Sequence, residues 1–283
     1  MGALWALLAA VGYGVGDFVG GLGGRRSGSP PAVSVVIQAT GVVAAVAATL
    51  GWVLLGHGGA PSAAALVWGA ASGLGSGVGN AALYRGLARG EMAVVAPTSA
   101  VVTVLVPAAV GLATGDRLSV VTWAGVVLSL PAVVLTSWTG RAHGFSSRDL
   151  GYGAVAGVGF GWLFVALDRA GTADGPWPLV PGQLVAVLLV LAVSRRSLQR
   201  HRPEWGRVLR WAGSSGLLAG TANQLFLAST ATGPLTVSAV LAALYPAVTV
   251  ALAMALLAES AGRLRWLGLL ASALSVVLVV TGT

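Results

Sequence analysis

Asp, Glu and Arg are so sparse in this 283-residue chain that they cut it into long uncharged stretches. Those at 92–115, 118–140, 150–167, 175–194 and 266–283 each hold one helix of about 20 residues, the length a bilayer requires. The stretches 27–84 and 211–258 are too long for one helix. Each carries turn chemistry inside it, Gly-His-Gly-Gly-Ala-Pro at 56–61 and Ala-Thr-Gly-Pro at 231–234. A tenth run, 3–24, is interrupted by a single charge at Asp17. The pattern predicts an all-α polytopic membrane protein with ten transmembrane helices. Crossing about 30 Å of hydrocarbon at about 1.5 Å per residue uses most of the chain. The longest polar connection, 195–210, is too short to fold alone. A transmembrane β-barrel is disfavoured because the apolar runs are continuous rather than alternating.

Composition closes the other routes. Only 8% of residues are charged and 56% are apolar, too little polarity to coat a water-facing enzyme and too much hydrophobicity for disorder. The 42 Gly and 12 Pro lack a Gly-X-Y period, which excludes collagen. There is no Cys, hence no disulfide, thiolate metal site or cysteine nucleophile. The net charge of +8 comes from 16 Arg, no Lys and eight acids. In a soluble protein that balance would point to nucleic acid. Here the arginines cluster at the ends of apolar runs, where they set membrane orientation instead, so no nucleic-acid partner is expected. Residues 1–24 lack the basic flank of a cleaved signal peptide and read as a retained first span.

The chain also resembles itself at a constant offset of 143 residues. Trp68 pairs with Trp211, Ser72 with Ser215, Gly73 with Gly216, Gly77 with Gly220 and Asn80 with Asn223. Further along, Gly90 pairs with Gly233, Asp116 with Glu259, Trp123 with Trp266, Gly125 with Gly268 and Ser129 with Ser272. Each half, 1–140 and 141–283, then holds five helices. Five is odd, so the second repeat must enter the bilayer upside down, a recurrent plan of secondary transporters. Charge points the same way. The loop 56–62 is neutral while its counterpart 195–210 carries six Arg. Placing helices alternately puts 14 of the 16 Arg on one side, with only Arg117 and Arg169 on the other. The basic side should be cytoplasmic, which leaves both termini extracytoplasmic in a plasma-membrane protein.

Within the helices a few polar groups stand out. Asp17 follows Tyr13 by four residues, on one face of a helix grooved by Gly12, Gly16, Gly20 and Gly24. A mid-helix carboxylate costs about 2.5–3.5 kcal/mol on insertion scales, so it should face protein or a wet cavity. Two readings stand: a substrate-contacting or proton-coupling acid, or a structural Asp held by hydrogen bonds or by Arg25. The third helix carries Ser72, Ser76, Asn80 and Tyr84 at spacing four, and the eighth repeats the plan with Ser215, Asn223 and Gln224. Such stripes line a cavity or bond to neighbouring helices. Pro97 and Pro107 in the fourth helix and Pro246 after Tyr245 in the ninth free carbonyls and allow bends, either as hinges or as static kinks. Gln38 and Gln183 read as interhelical bonds.

Catalysis finds little support. His57, His143 and His201 fall in loops without clustered carboxylates, and no HExxH, Walker A or GxSxG pattern occurs. No enzyme activity, metal site or cofactor is expected.

Gly-Tyr-Gly-Val-Gly-Asp-Phe-Val-Gly-Gly (12–21), the stretch 84–125 with Ala96-Pro97 and Asp116, and Ala-Leu-Tyr-Pro-Ala-Val-Thr (243–249) followed by Glu259, Trp266 and Gly268 resemble the drug/metabolite transporter superfamily. More narrowly, the chain resembles proteins built from two EamA-type repeats, over nearly its whole length. The resemblance implies a ten-helix secondary transporter with a central cavity between the first, third, fourth, sixth, eighth and ninth helices. It also implies movement of small metabolites, amino acids or drug-like compounds, commonly as efflux. Two departures are visible. Gly115-Asp116 stands where the family often has Gly-Glu, and relatives are often placed with both termini in the cytoplasm.

The expectation is therefore a carrier of a small organic solute, proton-linked or facilitated, working by alternating access as a monomer or homodimer. Tyr13, Asp17, Ser76, Asn80, Tyr84, Asn223, Gln224 and Tyr245 would surround the solute, with Asp17 in the coupling role. A passive channel, a scramblase or an uptake facilitator for a sugar-like solute would use the same helices without coupling.

Overall fold

The computed structural model describes residues 1–27, 29–89, 92–137, 146–200, 203–257 and 262–283. Among these the regular structure is entirely α-helical: α1 (Gly2–Ser27), α2 (Pro30–Leu54), α3 (Ala63–Arg89), α4 (Met92–Ala113), α5 (Val120–Ser137), α6 (Ser147–Ala170), α7 (Leu179–Arg200), α8 (Trp205–Thr230), α9 (Leu235–Ala242), α10 (Tyr245–Leu257) and α11 (Arg263–Gly282). The sequence positions of Gly90, Glu259, Arg141, Arg202, His143 and His201 lie outside the described residues.

Local chemistry sets the boundaries. Pro30 and Pro31 open α2, where a missing N–H costs nothing. Ser146 caps α6 by accepting from the Arg148 N–H, and Gly171 ends it at φ 68°, a conformation that favours glycine. The predicted turns at 56–61 and 231–234 both separate helices. One boundary has a sharper cause. Pro246 has no N–H to give Ala242, and its ring crowds that carbonyl, so α9 stops at Ala242 and α10 starts at Tyr245. Pro97 and Pro107, by contrast, sit inside an uninterrupted α4.

Eight segments are long and apolar enough to cross a membrane, with α9 and α10 counting as one run from Leu235 to Leu257. The two long helices outside that set are α3 and α8, of 27 and 26 residues. These are the helices that carry the polar stripes. Large apolar side chains such as Leu4, Leu8, Val11, Leu188, Leu270 and Val277 face outward, as lipid contact requires. The protein is a multi-pass membrane protein.

Helix directions follow from which residues meet. Gly12 of α1 faces Ala222 and Gly23 faces Trp211, so α1 and α8 are antiparallel. The same holds for α3 and α6, where Gly75 meets Gly159 and Gly86 meets Tyr152. It holds again for α5 and α11, where Gly125 meets Val279 and Gly268 meets Leu135. In contrast α2 runs parallel to α8, and α3 parallel to α7. A β-carbon on Gly73 would collide with the Gly182 carbonyl of α7, and one on Gly216 with the Ile37 carbonyl of α2. Close backbone approach through glycine is the usual way helices gain van der Waals contact in lipid.

Consecutive helices therefore alternate, and α1 points opposite to α6. Both chain ends reach one face: Gly2 lies against Ser229, and the Gly282 carbonyl accepts from Ser119 at 2.8 Å. The other face receives the arginine-bearing ends of α1, α3 and α7 and the arginine-bearing starts of α6, α8 and α11.

Candidate functional site

The first helix brings Tyr13 and Asp17 to one face, a turn apart, and the break before Pro246 presents Tyr245 beside them. The Tyr245 ring lies 6.2 Å from that of Tyr13 in an edge-on arrangement. Thr249, one turn beyond Tyr245, donates to the Gly14 carbonyl at 3.0 Å and fixes α10 against α1.

Above this platform opens a cavity of about 330 Å³. Asp17, Phe18 and Gly21 of α1, Ser99 of α4, Thr136 and Ser137 of α5, and Tyr245, Thr249 and Ala253 of α10 line it, with Arg265 of α11 at its rim. Asp17 is exposed to this space. The mouth faces the arginine-bearing side, since the lining residues lie toward those helix ends.

Below the platform the protein is closed. The Phe164 and Phe226 rings stack at 4.3 Å and belong to a core that also contains Ala9, Leu167, Leu227, Leu235 and Ala239. Tyr13 packs on Phe164 at 6.1 Å between centroids and on the cavity-lining Tyr245 at 6.2 Å, so it stands between the cavity wall and this core. At the closed face Asp116 accepts from the Thr236 N–H at 2.8 Å, tying the segment after α4 to the first turn of α9. The lining residues cluster toward the arginine-bearing face, and the packed core lies toward the other.

The sequence-selected residues separate into groups. Asp17 and Tyr245 line the cavity, Tyr13 lies behind them against the Tyr245 ring, and Asn223 accepts from the Tyr13 hydroxyl through Oδ1. Asn223 also borders a small void with Ser72, Ser76 and Gln183. Ser76 accepts from Gln38 Nε2 at 3.2 Å, an interhelical bond of the kind expected for Gln38. Asn80 bonds the Ser76 carbonyl of its own helix at 2.9 Å. Together with Tyr84 it lines a separate crevice of about 210 Å³ between α2, α3 and α7. Gln224 donates to the Ala44 carbonyl at 3.1 Å, a helix–helix tie away from the cavity. The hydroxyls of Ser99, Thr136 and Thr249, and Arg265, were not singled out from the sequence. Thr249 had a usable signal, its spacing of four from Tyr245. His57 sits in the loop after α2, stacked on Trp52 at 4.2 Å. Among the described residues no group of His, Cys, Asp and Glu could hold a metal ion.

Residues 150–281 match the EamA-like transporter family. The chain carries an EamA-like segment. The EamA-like match begins in α6 and ends in α11. A solved crystal structure aligns with 99% of this chain and 94% of its own at a TM-score of 0.68 and 19% identity, which establishes a shared fold. Among proteins of curated function none matches significantly.

Proposed function

We propose that this EamA-like chain is a secondary transporter that moves a small organic solute across the plasma membrane by alternating access, in the direction of efflux and coupled to protons. The observation that carries this reading is a cavity confined to the arginine-bearing half of the bundle, lined by Asp17, Tyr245 and Arg265, with a packed aromatic core on the far side of Tyr13. A channel would need a continuous path, and the Phe164–Phe226 core interrupts one.

The architecture proposed is two inverted five-helix repeats, 1–140 and 141–283, giving ten spans when α3 and α8 are included. Packing supports it. Exchanging the halves converts the α1–α8 contact into α6–α3 and the α2–α8 contact into α7–α3, and both pairs are observed with matching directions. Residues at the offset of 143, such as Gly73 and Gly216, occupy equivalent contacts in the two pairs. With basic loops cytoplasmic, the cavity faces the cytoplasm and the termini lie outside. That is the conformation in which an exporter collects its cargo.

In this scheme Asp17 binds a proton or a cationic group of the solute, Tyr13 and Tyr245 offer aromatic walls, and Asn223 holds Tyr13 in place. Pro246 marks the hinge between a fixed α9 and a movable α10, with Pro97 and Pro107 as bends in α4. The test is counterflow in proteoliposomes, with solutes chosen by thermal-shift screening of the purified protein. Saturable exchange that a pH gradient drives in wild type but not in Asp17→Asn supports the proposal. Ohmic current, or driven flux unchanged in Asp17→Asn, refutes the corresponding part of it.

A further inference from the structure

A groove of about 500 Å³ runs along the outside of the bundle where α3, α6 and α7 meet. It shares no lining residue with the Asp17 cavity. Its walls are small and apolar, with Gly77 and Ala81 from α3, Val155 from α6, and Leu189 and Val193 from α7. From Gly77 to Arg85 the helix climbs about 12 Å, so the groove reaches well into the depth of a leaflet.

One end differs. Arg85, on the last turns of α3, and Arg148, in the first turn of α6, both line the groove where it meets the arginine-bearing face. Both side chains are exposed, and among the described residues neither guanidinium pairs with a carboxylate. Asp149 is next to Arg148 in sequence but only 5% exposed, and it does not line the groove. Its place in the first turn of α6 suits the positive end of that helix instead.

An apolar slot would accept any acyl chain. Two exposed guanidinium groups at its water-facing end discriminate by headgroup, because basic pockets between membrane helices attract anionic lipid and the planar fork matches a phosphate. We propose that this groove binds one anionic glycerophospholipid, its phosphate on Arg85 and Arg148 and one acyl chain along Gly77 and Ala81. The site joins α3 to α6, so a bound lipid braces that helix pair from outside. It is independent of what the central cavity carries.

Native mass spectrometry of the full chain in neutral detergent, titrated with phosphatidylglycerol or phosphatidylcholine, tests this. One phosphatidylglycerol should bind saturably and in preference to phosphatidylcholine. The Arg85→Gln/Arg148→Gln variant should bind it about tenfold or more weakly, the size expected for removing two interfacial cations. Arg195→Gln/Arg196→Gln, which removes two exposed charges from the same face outside the groove, should retain it. Gly151→Leu keeps both arginines and points into open space at the groove wall, and it should weaken binding by blocking the acyl chain. Equal binding of the two lipids would overturn the proposal. So would equal losses in the two arginine variants, or competition by glycerol phosphate as strong as that by intact lipid.

Discussion

The hydroxyl of Tyr13 donates to the side-chain oxygen of Asn223, a residue 210 positions away. The bond links the first helix to the eighth beside the packed core, one aromatic contact away from the cavity-lining Tyr245. In lipid such a bond has no water to replace it. Measured couplings between membrane helices nonetheless average about 0.6 kcal/mol, because unfolded partners also find each other.

A double-mutant cycle on Tyr13→Phe and Asn223→Ala should therefore give a coupling of about 0.6–1.7 kcal/mol in an unfolding assay in detergent. Transport should respond more than stability. Tyr13→Phe keeps the ring on Phe164 and Tyr245 but frees Asn223. A solute KM that changes while the melting midpoint barely moves would identify the pair as a site element. Loss of fold in Tyr13→Phe would identify it as structural.

The glycine contacts lead to a sharper expectation. Gly73 and Gly216 each leave no room for a side chain, being pressed against carbonyls of α7 and α2. Valine at either position should cost about 1–3 kcal/mol or more, the overpacking penalty, and lower the midpoint of thermal unfolding to a similar degree in both. Gly51→Ala, on α2 with nothing within 4 Å of its would-be β-carbon, should be neutral or mildly stabilising. A large loss at Gly73 with none at Gly216 would contradict their equivalence.

Much of this molecule is readable from charge spacing alone, and the reason is physical. Lipid contact forces apolar runs of fixed length, so the helices and both Gly/Pro turns fall where the sequence places them. The polar stripe of α3 shows the limit. Helical spacing puts Ser76, Asn80 and Tyr84 on one face, but it does not say which neighbour that face meets. That neighbour is largely α2 and α7, so Asn80 and Tyr84 open on a side crevice rather than on the Asp17 cavity. Gln224 shows the same ambiguity, its amide being used by the Ala44 carbonyl. Asp17 and Tyr245, which do line the cavity, each carry a second signal in the sequence, a lone charge within an apolar run in one case and an adjacent proline in the other.

The break at Pro246 separates two views of that proline. If it is a hinge, Pro246→Ala supplies an N–H to the Ala242 carbonyl and lets α9 and α10 merge into one helix. Amide exchange across 242–247 should then slow, and solute turnover should fall while binding persists. A static kink would slow exchange in the same way but leave turnover unchanged. Hydrogen exchange and counterflow on one preparation therefore distinguish them.

Closure of the far face depends on Asp116, whose carboxylate accepts from the Thr236 N–H at 2.8 Å. That N–H is one of the orphan donors at the start of α9, and the negative charge also suits the positive end of the helix. Replacing Asp116 by Ala should destabilise the closed face by about 1 kcal/mol, whereas Asn keeps an acceptor and should lose less. The natural chain has no cysteine, so a single introduced thiol reports without background. Ala239→Cys, at a site 0% exposed in the core beneath the platform, should resist membrane-impermeant maleimide in the otherwise unaltered protein. Combined with Asp116→Ala, it should label several-fold faster from the side of the termini, because about 1.4 kcal/mol shifts an open–closed equilibrium tenfold. Ala253→Cys, in the wall of the cavity, should label from the arginine-bearing side and label less as the far face opens. Opposite changes at the two thiols are the signature of one gate opening as the other shuts. If both became more reactive together, Asp116→Ala would simply be loosening the bundle, and Asp116 would have no gating role.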